Sequence, residues 1–171
     1  NAADDAPTVT IGRQHAIQRI PKRIASLAFD IAVMNLLSQL KKVTHNCYDD
    51  KIYVHEGIRI LGLGGCMPYK PGKYMYTEKE MKRRLLHIKH QLIFYHGFDI
   101  LLTHAPAQGL GDGDDHAHQG YEVFLKLLDK YQPKYMVHGH MHLQYDHSLK
   151  RTMQYNNTQI INAYERHTWK Y

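Results

Sequence analysis

Between Ile58 and His142 the chain alternates short apolar runs with amphipathic segments, and this order restricts its fold more than any other feature. The run "IRILGL", Ile58 to Leu63, is apolar on both faces, as in a strand of a sheet covered on both sides. "KIYVH" precedes it, so the two read as strands joined by a tight turn at Glu56-Gly57. "TEKEMKRRLLHIKHQLIFYHG" then opens with Thr77 and Glu80 at capping-box spacing. Met81, Leu85, Ile88, Leu92 and Tyr95 form one helical stripe along it, and Gly97 marks its end. "FDILLTH" reads as a strand ending at His104. A second helix runs from about Gln119 to Tyr131, with Val123, Phe124, Leu127 and Leu128 on its apolar side and Pro133 as its stop. "KYMVHGHMH" is another strand, and "NTQIINAYERHTW" supplies one or two more. Strand, helix, strand, helix, strand is the pattern of an α/β layered fold, in which ligands collect beyond the carboxyl ends of the strands.

Histidines mark two of those ends. In an extended "YMVHGHMHLQYD", alternate side chains share a face, so His140 and His142 would point the same way and Met141 the other. Gly139 permits unusual backbone angles or close approach by a ligand. Two imidazoles converging beside a glycine suggest a metal site, and His104 at the neighbouring strand end could join them. His138 has the same parity but sits earlier in the strand, where a structural role is expected. His87 and His90 belong on the solvated face of their helix.

The loop "THAPAQGLGDGDDHAHQG" links His104 to the second helix. Loops of this length without internal structure are usually functional or mobile. An EF-hand is excluded, because its sixth-position glycine and twelfth-position glutamate are missing. Asp114, Asp115 and His116 read as a solvated loop. His118 leads straight into a helix N-terminus, where anions bind readily.

With 171 residues, 43% of them hydrophobic and 22% charged, the chain suits one soluble globular domain over residues 1–171. The formal charge of +6 fits an anionic ligand such as a phosphate ester, and equally weak nucleic-acid binding. Fourteen histidines are the compositional anomaly. Cys47 and Cys66 form no Cys-x-x-Cys pair, so they read as two reduced thiols in a cytoplasmic protein. "NAADDAP" is not a signal peptide. "IASLAFDIAVMNLLSQL", Ile24 to Leu40, contains Asp30 and Asn35 and falls short of the roughly 20 residues of a spanning helix. It reads as part of one buried helix, Pro21 to Lys42.

"GLGG", "YTEKEM", "DILLTHAPAQGLGDGDD", "HQG", "PKYMVHGHMH" and "IINAYE" occur together in one order. This set, from about Asp49 to Tyr171, resembles the second half of the calcineurin-like metallophosphoesterases, in particular a bacterial cytoplasmic type. The resemblance implies a β-sandwich of two mixed sheets flanked by helices, with a two-metal centre at the sheet edge. It implies that His104 and His140 bind the second metal and His142 the first. It places His118 near the phosphate, as a hydrogen-bond donor or the acid for the leaving group. Neutral imidazoles suit Mn, Fe, Zn or Ni, while carboxylates supply the charge and the bridge. Two such ions would acidify a water and clamp the attacking and leaving oxygens at phosphorus.

The first half of that family contributes Asp-x-His, Gly-Asp and Gly-Asn-His-Asp, and none of these precedes Asp49. On that resemblance, residues 1–48 read as an unmatched segment with one helix, and 49–171 as the C-terminal part of a metallophosphoesterase-like domain, its N-terminal part either truncated, replaced or that of a family remnant with an altered site. The leading expectation is a metal-dependent hydrolase of a phosphomonoester or phosphodiester. It holds at most one tight metal unless a carboxylate such as Asp112 moves in. A family member that binds metal or an anion without catalysis is the second expectation, and a basic nucleic-acid-binding protein the third. A His-x-His amidohydrolase is disfavoured, because its barrel needs about 250 residues. The partners expected are a phosphate-ester substrate and no membrane, with a homo-oligomer left open.

Overall fold

The structure, a computed structural model, describes residues 8–11, 49–55, 57–143, 150–164 and 167–170. The helix expected over Pro21 to Lys42 lies outside the described residues. The β-branched run "TVTI" suits a strand and forms β1 (Thr8–Ile11). It pairs antiparallel with β8 (His167–Lys170), Val9 opposite Trp169. The chain divides into two compact units, Asn1–Thr44 with Ala163–Tyr171, and His45–Asn162.

The second unit carries the strand ends of interest. β2 (Lys51–His55) and β3 (Ile58–Leu63) form the expected hairpin, with His55 opposite Ile58. Gly57 takes φ +83° at the turn, a value open to glycine without steric cost. The single helix expected after Thr77 is two: α1 (Glu78–His87) and α2 (Lys89–Phe94), interrupted at Ile88 with φ −96° and ψ 4°. The capping box forms, the Thr77 side chain accepting from the Glu80 N–H and Glu80 from the Thr77 N–H. The stripe survives the interruption, since Met81, Ile88 and Leu92 are all buried. The break also lets Gln91 on α2 accept the Ile52 N–H of β2 at 2.9 Å. His87 and His90 are exposed, as expected.

β4 (Ile100–Thr103) stops one residue before His104. α3 (Glu122–Tyr131) begins later than the expected Gln119, because its first N–H groups are satisfied from outside. Glu78 on α1 accepts the N–H of Glu122 at 3.2 Å and of Val123 at 2.8 Å. Gln132, at φ +46°, closes the helix just before Pro133. β5 (Tyr135–His138), β6 (Thr152–Tyr155) and β7 (Thr158–Asn162) complete the unit. The sheet order is β2-β3-β4-β5-β7-β6, with β3, β4, β5 and β7 parallel and antiparallel strands at both edges.

Leu61, Leu63, Leu101, Met136 and Ile160 on one sheet face pack with Met81, Ile88, Leu92, Phe124 and Leu128 of the helices. Each such buried side chain contributes about 1.5–3 kcal/mol relative to exposure. Ile60, Ile100, Val137 and Ile161, at alternate positions on the other face, are buried too. The chain is thus a mixed α/β fold. Among the described residues the two sheets are this one and the β1–β8 pair, and a sandwich is not shown. No helix among them is long and apolar enough to cross a membrane.

Candidate metal centre

β3, β4 and β5 lie side by side and point the same way, so the residues just past them gather at one edge. Cys66, His104 and His140 are those residues. Each offers one ligand atom, and the three atoms lie within 4.8 Å of one another, so the group could hold a metal ion.

Local backbone geometry sets each side chain. Cys66 follows the Gly64-Gly65 turn; its N–H donates to Tyr74 O at 3.2 Å and its carbonyl accepts the Tyr76 N–H at 2.9 Å. Gly65, at φ +100°, lies so near the Tyr76 ring that a Cβ there would sit 2.5 Å from it. The Gly139 N–H donates to His104 O at 3.1 Å, locking the two strand ends together. His140 adopts φ +64°, and the Met141 N–H donates back to Gly139 O at 2.7 Å. The extended geometry expected for "HGHMH" is therefore wrong. β5 ends at His138, and His140 reaches His104 through a left-handed turn rather than by strand parity.

The proton positions follow from the contacts. His140 Nε2 lies 2.7 Å from Ala117 O, so it carries the hydrogen and donates. Its Nδ1 is then a bare lone pair, 3.1 Å from His104 Nε2. Two lone pairs cannot face each other at that distance, so a proton or a cation must lie between. Without a cation His104 donates through Nε2, and its Nδ1 becomes a lone pair that is buried and has no hydrogen-bond partner among the described residues. Such an orphan costs about 1–3 kcal/mol. Burial, with His140, His138 and His142 nearby, pushes the His104 pKa down to about 3, so its imidazole is neutral. Burial likewise lowers His140, against the Ala117 carbonyl, which raises it. Burial pushes the Cys66 thiol up, with Lys70 opposing.

The other expected residues are placed as follows. His142 is exposed and outside the three-atom group. His138 is buried, with Nδ1 3.0 Å from Gly139 O, and its pKa falls to about 4 through burial. The His118 ring lies 5.2 Å from the His140 ring, centroid to centroid. His118 Nδ1 donates to Asp115 Oδ2 at 2.6 Å, which holds the Asp115 carboxyl below its usual range. Asp112 accepts the Gly109 N–H at 2.7 Å and the Gly120 N–H at 3.0 Å, so both its oxygens brace the loop.

Sequence reasoning missed Cys66 and Asp115. Cys66 was legible only through its place, directly after a strand and two glycines, as His104 directly follows its own. Asp115, three residues before His118, also accepts the Ala117 and His118 N–H groups.

No family model matches the chain. None of the curated proteins matches it either. One solved structure is similar over 85% of this chain and 56% of its own length, with 14% identity and a TM-score of 0.51. The crystal structure of TT1561 of Thermus thermophilus is 12% identical over 84% of this chain and 59% of its own, with a TM-score of 0.42. The first likeness is one of fold alone, and the second is too distant to carry an argument. The chain spans less than two thirds of either structure.

Proposed function

We propose that the chain is a metal-dependent phosphoesterase, of calcineurin-like lineage and cytoplasmic, acting on a phosphomonoester or phosphodiester. One observation carries this reading: two neutral imidazoles meet at the carboxyl edge of parallel strands, His140 Nδ1 3.1 Å from His104 Nε2. The ordered motifs support the same lineage, and with it the sandwich architecture. His104 and His140 would hold a divalent cation, with His142 at the rim. Bound there, the cation would supply Lewis-acid polarisation of the phosphoryl group and an acidified water. His118, oriented through Nδ1 by Asp115, keeps Nε2 for a phosphoryl oxygen or for protonating the leaving group.

Among the described residues the donor set fits one cation and not two. Two dications held close repel, and carboxylates normally offset this. Asp112 and Asp115 have their carboxylates committed to the loop and to His118. This favours a second reading, a member that binds metal or an anion and turns over weakly or not at all. Metal content, with hydrolysis of an aryl phosphate and an aryl phosphodiester in added Mn or Zn, separates the two. We expect one metal per chain and slow hydrolysis that His140→Ala abolishes. Hydrolysis unchanged in His140→Ala would sink the enzyme reading, and bound metal without hydrolysis would leave the second.

A further inference from the structure

We propose that Cys66 is a metal ligand, so that the centre is a mononuclear Cys-His-His site selecting zinc-class cations over manganese and magnesium. The inference rests on the metal-site half of the reading above and not on hydrolysis.

Four observations carry it. The Cys66 Sγ lies within 4.8 Å of the ligand atoms of both His104 and His140. These three residues follow three adjacent parallel strands, so the sheet positions all of them. His140 already donates its Nε2–H to a backbone carbonyl, the arrangement that orients metal-bound histidines and frees the other nitrogen. A cation taking a lone pair from each ring suits the 3.1 Å gap, since metal–nitrogen bonds of about 2.0–2.1 Å at a tetrahedral angle separate two nitrogens by about 3.3 Å.

Charge decides the thiol's role. Both imidazoles are neutral, and the nearby carboxylates of Asp112 and Asp115 are engaged elsewhere. Cys66 is the one member of the group able to supply a negative ligand. Coordination releases its proton to solvent, and the dication plus one thiolate leaves a site of net charge +1. That residual charge, with a fourth position open, suits an anionic ligand. Thiolate beside imidazole selects zinc-class ions, whereas manganese and magnesium prefer oxygen donors.

The test titrates the reduced, metal-stripped chain with Co(II) and follows the thiolate-to-cobalt charge-transfer band, then displaces Co(II) with Zn(II) or Mn(II). The expected result is one Co(II) per chain, a band that Zn(II) abolishes and equimolar Mn(II) does not, and the same band in Cys47→Ser. Cys66→Ser, its fold checked by circular dichroism, should lose the band. Its zinc affinity should fall by more than the roughly 10–100-fold that losing an outer partner costs. X-ray absorption on the zinc-loaded natural chain needs no variant and should show one sulfur at about 2.3 Å. A band that persists in Cys66→Ser, a band lost in Cys47→Ser, or a shell of nitrogen and oxygen alone would each overturn the proposal. A correct band without phosphatase activity would overturn only the enzyme reading.

Discussion

His140 is the residue on which the site turns. Its φ of +64° is a left-handed conformation that costs a non-glycine residue about 1–2 kcal/mol. The contacts that repay it run through the ring, to His104 and to Ala117 O. Removing the ring should therefore expose the backbone cost. His140→Gly should be more stable than His140→Ala by about 1 kcal/mol, since glycine adopts this φ without strain. Urea unfolding of the two variants measures the difference, and equal midpoints would show that the turn relaxes when the ring is lost. The sequence singled out His140 as a site residue but for a geometric reason that fails, because strand parity ends at His138. Nothing local forecasts φ at His140; the glycine beside it drew the attention. Cys66 offered only its place after a strand and two glycines, because its partners are near only after three strands align.

At the scale of elements, periodicity revealed what was strongly patterned. The capping box, the β2–β3 hairpin and the strands before His104 and His140 all formed. β6 escaped notice because it is a four-residue edge strand whose apolar face is only Met153 and Tyr155, half-buried against the core. The late start of α3 was hidden because its cap, Glu78, belongs to α1. One tie between elements has a definite pH signature. The Asp99 carboxylate accepts from Arg59 Nε at 2.9 Å, Nη2 at 2.6 Å and the backbone N–H at 2.8 Å, joining the segment before β4 to β3. Arg59 also donates to Tyr95 O at 2.7 Å, beyond α2. These bonds hold the Asp99 carboxyl below its ordinary value, the Arg59 side chain contributing most. A native pKa below the unfolded one means stability that is present above about pH 4 and lost as pH falls through the depressed value. Asp99→Asn should therefore be less stable at pH 7 by about 1–2 kcal/mol, a figure reduced for partial exposure. The gap from the natural chain should shrink towards zero in acid, as chemical unfolding at several pH values would reveal. A gap independent of pH between 7 and 3 would contradict the ionic origin.

Across the His45–Asn162 unit as a whole, one buried cation connects the start of the sheet to the metal edge. Arg84 on α1 donates through Nε to Asp50 at 2.9 Å, through Nη1 to Gly64 O at 2.5 Å, and through Nη2 to Asp49. Its guanidinium lies 4.3 Å from the centre of the Tyr76 ring. Asp49 also accepts the Gly64 N–H at 2.7 Å, so Arg84 and Asp49 together hold both polar groups of the residue that opens the Cys66 turn. None of this was legible, because Arg84 occupies what reads as an ordinary charged helix position, and burial is a property of the assembled unit. Breaking a buried ion pair from one side costs about 3–5 kcal/mol when the partner stays buried, and the partial exposure of Asp49 (20%) and Asp50 (42%) brings the cost here to the lower end of that range. Arg84→Met should lose stability of that order, while Asp50→Asn, whose side chain is 42% exposed, should lose about 1 kcal/mol or less. Arg84 donates to neither histidine of the site, yet its loss should also weaken zinc binding, because the backbone at Gly64 no longer fixes where Cys66 sits. Urea unfolding of both variants, with zinc affinity measured where each is still folded, tests this. If Arg84→Met matched Asp50→Asn in stability, or bound zinc as tightly as the natural chain, the anchoring role would be wrong.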